Sequence, residues 1–100
     1  MQFAVVDIET TGGFASGNGI TEIAIHIYDG NEVIDSFETL LNPLSFIPPY
    51  IESLTGITNE MVADQPDINQ LIPQISSFVG DSEIIAHNAE FDRGFLTRYW

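Results

Sequence analysis

Apolar and polar residues along the chain fall into short blocks with two different periods. Phe3-Ala4-Val5-Val6-Asp7-Ile8 is a nearly continuous apolar run, the signature of a central strand buried on both faces. The stretch from Thr10 to Gly19 contains Gly12, Gly13, Gly17 and Gly19 and reads as a mobile loop. From Ile20 to Tyr28 the pattern alternates, placing Ile23, Ile25 and Ile27 on one face of a second strand. Asp29-Gly30-Asn31 signals a tight hairpin, with Asp-Gly as its two-residue turn. Val33 to Leu41 makes the third strand, stopped at Asn42-Pro43.

Beyond that point the period lengthens. Pro48-Pro49 can open a short helix through Leu54, since proline is tolerated in a first turn. Thr58 is placed to cap a brief helix over Asn59 to Ala63. From Asp67 onward, Ile68, Leu71, Ile72, Ile75, Phe78 and Val79 form a helical stripe, which Pro73 should kink or break early. Glu83 to Ala86 reads as a short fourth strand, and Asn88 caps a helix with Phe91, Phe95, Leu96 and Tyr99 on one face. The order β-β-β-α-α-β-α predicts an α/β fold: three antiparallel strands joined by a helical crossover to a parallel fourth, with flanking helices. The last helix runs to Trp100 without a stop signal, so residues 1–100 read as one domain that is incomplete at its C-terminus.

Composition narrows the chemistry. Fifteen Asp and Glu face two arginines, Arg93 and Arg98, and no lysine, for a formal net charge of −13. That balance excludes gripping nucleic acid through a basic surface, a lysine nucleophile, a Walker-type phosphate lysine and a polybasic membrane patch. At 44% hydrophobic residues the chain can still build a core. The absence of cysteine removes disulfides and thiolate metal sites, and no basic leader or membrane-length apolar run is present. A soluble cytoplasmic domain is the expectation.

Two acidic features stand out. Asp7 and Glu9 are two residues apart at the end of an apolar strand, so they share a face, about 6.5–7 Å apart along the chain. Paired carboxylates there suit a hard divalent cation such as Mg²⁺ or Mn²⁺, although two solvated acids past the strand end would look the same in sequence. Asp92 sits in the first turn of the last helix, where it can complement the helix dipole. If strands one and four are parallel neighbours, however, Asp92 arrives beside Asp7 and Glu9 at the strand ends, where sites assemble in open sheets.

Val-Val-Asp-Ile-Glu-Thr-Thr-Gly (Val5 to Gly12) followed by His-Asn-Ala-Glu-Phe-Asp (His87 to Asp92) resembles the first two motifs of the DnaQ-like 3′–5′ exonucleases, which include the epsilon-type proofreading subunits. Leu54-Thr55-Gly56-Ile57-Thr58 between them is also similar to that family. The resemblance implies a ribonuclease-H-like fold, cut before its fifth strand, and two-metal hydrolysis of phosphodiesters from a 3′ end. Asp7, Glu9 and Asp92 would be the catalytic metal ligands, holding two Mg²⁺ or Mn²⁺ ions in the complete site. Thr10, Thr11 and Gly12 would touch the terminal nucleotide, partly through backbone, and Leu54 and Thr55 would wedge against the last base. Many relatives carry histidine at the position of Thr55. Asn88 and Phe91 would line the site. The implied partners are a single-stranded 3′ end of DNA or RNA and a polymerase subunit or fused domain, with no membrane.

His87 reads as a structural histidine at a strand end, and His26 as a sheet-face residue with no role. The family's third motif, His-x-x-x-x-Asp on a later helix, supplies a general base and a fourth carboxylate, and it does not follow within these residues. Little or no activity is therefore expected of the isolated hundred residues. Two other readings remain: a non-catalytic metal- or nucleotide-binding module of the same fold, and a haloacid-dehalogenase-type phosphatase. The phosphatase would need Asp where Glu9 stands and a crossover helix after the first strand.

Overall fold

The computed structural model describes residues 2–12 and 19–86. Strands β1 (Phe3–Thr10), β2 (Ile20–Tyr28) and β3 (Val33–Leu40) are followed by helices α1 (Pro49–Thr55), α2 (Asn59–Val62) and α3 (Ile68–Val79), then strand β4 (Glu83–Ala86). Three helices, not two, therefore connect β3 to β4. The sheet order is β3-β2-β1-β4. β1 pairs antiparallel with β2, β2 antiparallel with β3, and β4 parallel with β1, as the pattern of strands and crossover predicted. Antiparallel pairing of the first two strands is incompatible with the crossover that the phosphatase reading required.

The strands alternate because α3 packs along one sheet face. Ala4, Val6 and Ile8 of β1 and Ile23, Ile25 and Ile27 of β2 are buried together with Ile68, Ile75 and Val79 of α3. Phe37 of β3 and Phe78 of α3 close this core with ring centroids 5.6 Å apart and planes tilted by 43°. Burying such side chains stabilises by about 1.5–3 kcal/mol each, which holds α3 to the sheet. β1 was expected to be buried on both faces, but its odd positions, Phe3 to Glu9, are half-buried or exposed.

α3 starts on a capping box: Asp67 accepts from the Gln70 backbone N–H, and the Gln70 side chain accepts from that of Asp67. Pro73 does not end the helix, which runs on to Val79. Its exposed ring costs one backbone hydrogen bond, and the buried Ile68–Ile75–Val79 stripe outweighs that loss. The β2–β3 hairpin also departs from expectation, because residues 29–32 separate the strands instead of a two-residue Asp-Gly turn. Asp29 accepts from the N–H of Asn31 at 2.9 Å and of Glu32 at 3.1 Å, an Asx-type turn, while Gly30 supplies a φ of 106°.

A second, smaller cluster of Ile47, Ile51, Ile57 and Val62 seats α1 and α2 against Leu40. Asn59 ties it polar-side: its Oδ1 accepts from Ile47 N–H at 2.8 Å, its Nδ2 donates to Ile47 O at 2.9 Å, and its backbone N–H donates to Glu52 at 2.8 Å. α1 ends on Gly56, whose φ of 77° is the left-handed cap that a side chain would strain.

Candidate functional site

Alternation along β1 turns Asp7 and Glu9 to the sheet face opposite α3, with Asp7 exposed and Glu9 half-buried. The shared face expected from their spacing is present, and both belong to the strand, not to the loop after it. β4 pairs with β1 up to Val6↔Ala86, so the chain leaves β4 one residue short of the level of Asp7. Asn88, Phe91 and Asp92, and the helix expected to carry them, lie outside the described residues.

The sheet register adds an acid that the motifs did not single out. Glu9 pairs with Glu22 and Asp7 with Ala24, so Glu22 stands on the same face as the two carboxylates. Burial, then the carboxylates of Glu38 and Asp7, raise the Glu22 pKa above its ordinary 4.5. Alternation in Ile20–Tyr28 already turned Glu22 away from Ile23, Ile25 and Ile27, but only the strand pairing puts it opposite Glu9. The chemistry of this donor set, hard oxygens crowding one another, fits a divalent cation. Among the described residues no group of three His, Cys, Asp or Glu side chains is close enough to hold one. Glu22 is thus a neighbour of the pair on the same face.

After β1 the chain turns inward. Thr10 and Thr11 are only 6% and 2% exposed. The Thr10 hydroxyl donates to Gly12 O. The Thr11 hydroxyl accepts from Gly19 N–H at 3.1 Å and lies 3.5 Å from Ser45 Oγ, while its backbone N–H donates to Gly19 O at 3.0 Å. What this turn offers a ligand is therefore backbone and Gly12 more than hydroxyls. Gly19 is fitted tightly, since a Cβ there would fall 2.2 Å from Pro43 O. Leu54 is 78% exposed on α1, free for a wedge. The Thr55 hydroxyl is occupied, donating to Ile51 O at 2.9 Å and accepting from Ile57 N–H at 3.1 Å, so its side chain caps the helix.

Away from this end of β1, an open hollow of about 290 Å³ is lined by Phe3, Val5, Tyr28, Gly30, Asn31 and Ile85. It carries no carboxylate and sits by the first residues of β1. His26 shares a hydrogen bond with Ser36 through Nδ1 at 2.9 Å on the sheet face.

A mixed sheet of this order, with two carboxylates facing out at the end of its central strand, defines a ribonuclease-H-like nuclease domain. The exonuclease family RNase T matches residues 4–100. The chain is 49% identical over 100 aligned residues to a putative bifunctional exonuclease/endonuclease protein of Mycobacterium tuberculosis, covering 94% of this chain and 16% of that one. It is 37% identical to the DNA polymerase III subunit epsilon of Aquifex aeolicus, covering 97% of this chain and 48% of that subunit. A solved structure of Exonuclease X in complex with 5′-overhanging duplex DNA superposes with a TM-score of 0.80 at 33% identity, over 93% of this chain and 52% of that one. The chain belongs to the DnaQ-like exonuclease family, and it spans half or less of the length of these two relatives.

Proposed function

We propose that this chain is a metal-dependent exonuclease domain that removes nucleotides from the 3′ end of single-stranded DNA or RNA, in the setting of a replicative polymerase or a related trimming enzyme. One observation carries the reading: Asp7 and Glu9 share the outward face at the end of a central strand whose parallel neighbour, β4, leads directly into the second motif.

On this reading Asp7 and Glu9 from β1 and Asp92 from the second motif hold two Mg²⁺ or Mn²⁺ ions. When bound, such ions supply a deprotonated water near neutral pH and stabilise charge on the leaving 3′ oxygen. The chain's own residues do the rest. The Thr11–Gly19 pair holds the turn at Thr10–Gly12 so that its backbone faces the terminal nucleotide. Exposed Leu54 lies against the last base, with Thr55 fixing the helix end beneath it. Asn88 and Phe91 line the sugar side. A proton acceptor from the family's third motif does not occur in these residues, so hydrolysis by the hundred residues alone is slow.

The test uses a 5′-labelled single strand with Mn²⁺ and long incubation. The expected ladder shortens from the 3′ end and disappears with chelator or on Asp7→Asn. Shortening from the 5′ end, or hydrolysis that survives Asp7→Asn, would sink the reading. Rapid hydrolysis by the hundred residues would overturn the missing-base part of it.

A further inference from the structure

We infer that Asn42 is a positioning residue for the terminal-nucleotide contact, holding a strained turn at 42–45 against residues 10–12, the turn that follows Glu9. The role rests on the nuclease reading above and gives a function to residues outside both acidic motifs.

A chain of contacts joins the two turns. Asn42 follows β3 and engages three of its groups. Its backbone N–H donates to Pro66 O at 2.9 Å, its Nδ2 donates to Ala63 O at 3.3 Å, and its Oδ1 accepts from Leu44 N–H at 2.9 Å. Asn42 thereby ties the turn to the connection between α2 and α3 and closes an Asx turn over Pro43. Pro43 is buried, and its carbonyl oxygen lies so close to Gly19 that a Cβ there would fall 2.2 Å from it. Gly19 in turn holds Thr11 twice, accepting from its backbone N–H at 3.0 Å and donating to its hydroxyl at 3.1 Å. Ser45 closes the circuit, with its Oγ 3.5 Å from that same hydroxyl. A shift of Pro43 or Ser45 therefore reaches Thr11 by direct contact. Asp7 and Glu9 are held separately, by pairing of β1 with β2 in a register that shifts only after Glu9.

Leu44 shows that this arrangement is imposed. Its φ of 57° is left-handed, a backbone that a leucine rarely adopts. Its side chain is 70% exposed, so no burial offsets the cost. Backbone strain persists where the surroundings over-determine it, and it gathers at segments that clamp ligands. Here Asn42 is the over-determining group. Without its Oδ1, Leu44 relaxes toward the right-handed region, and Pro43 and Ser45 move with it. The competent turn then becomes a minority state, and apparent nucleotide affinity falls by its fraction.

The probe is thymidine 5′-monophosphate, the kind of product formed when a 3′ oxygen leaves. It is titrated calorimetrically into the hundred-residue chain in saturating Mn²⁺, and Mn²⁺ affinity is measured separately. Asn42→Ala should weaken mononucleotide binding by about tenfold, the bias of a leucine against left-handed backbone, and leave Mn²⁺ affinity unchanged. Adding Leu44→Gly to Asn42→Ala should return the affinity to within about two- to threefold of wild type, because glycine populates positive φ freely. Leu44→Val keeps every Asn42 bond but resists positive φ, so it should repeat the loss, and it carries the test if Asn42→Ala does not fold. Undiminished mononucleotide binding in the folded variants, equal losses of mononucleotide and Mn²⁺, or no recovery on Leu44→Gly overturns the role. Asp7-dependent shortening of a labelled strand is scored alongside. If it persists while the mononucleotide test fails, only the positioning role falls; if it is absent from the wild type, the nuclease reading itself falls.

Discussion

Glu22 illustrates what a single side chain contributes at this sheet face. Its pKa is raised by burial and by Glu38 and Asp7, so the folded chain binds its proton more readily than the unfolded chain does. The stability contribution is therefore full below the ordinary value of 4.5 and is lost as pH rises through the higher folded value. Glu22→Gln, uncharged throughout, should melt about 1–3 °C above wild type at neutral pH in chelator, the effect being muted by solvent screening. The two should converge in acid. A variant that melts lower at neutral pH would show that Glu22 is paired and not crowded. The contrast with Asp7 and Glu9 explains what was legible. A spacing of two along one strand is local, so their shared face followed from the sequence. The Glu9–Glu22 juxtaposition depends on register between strands, including the shift between Glu9 and Thr10, and no local pattern encodes that. The tight seat of Gly19 was equally hidden, because Pro43 is remote in sequence. Gly19→Ala would force a Cβ into Pro43 O and should lower the melting temperature enough to see in a simple thermal scan.

At the scale of elements, periodicity and caps carried most of the fold. The alternation of Ile23, Ile25 and Ile27, the stripe from Ile68 to Val79 and the parallel placement of β4 all follow from patterns visible in the chain. The failures share a cause: a local rule was outweighed by its surroundings. Pro73 breaks isolated helices, yet α3 continues because its far end is held by Ile75 and Val79 in the core. Asp-Gly favours a two-residue turn, yet the Asp29 side chain captures two backbone N–H groups and stabilises a four-residue loop, which also holds its carboxyl below the usual range. The capping box bears on the same helix from the other end. Asp67→Ala removes both the side-chain acceptor for Gln70 N–H and the reciprocal geometry, and should cost about 1 kcal/mol in chemical denaturation without changing the slope. Asp67→Ser, which keeps an acceptor, should recover most of it. No loss on Asp67→Ala would mean that the sheet contacts alone hold this end of α3.

For the whole molecule, charge decides. A net charge of −13 on a body with a Cα radius of gyration of 13.5 Å leaves the carboxylates within mutual reach when the Debye length is about 30 Å, as in 10 mM salt. Self-repulsion then opposes the compact state, and raising NaCl should raise the melting temperature. That screening is diffuse and treats cations by ionic strength. A metal site at Asp7, Glu9 and Asp92, as proposed, would not be diffuse, and it would stabilise by mass action on the folded state, adding about 2.7 kcal/mol when free ion is a hundredfold above its dissociation constant. MgCl₂ or MnCl₂ should therefore raise the melting temperature beyond NaCl of equal ionic strength, and Asp7→Asn should abolish the excess while keeping the NaCl response. Equal effects of the two salts, or an excess that survives Asp7→Asn, would mean that the acids are a solvated face and that the two outward carboxylates of β1 gather no ion.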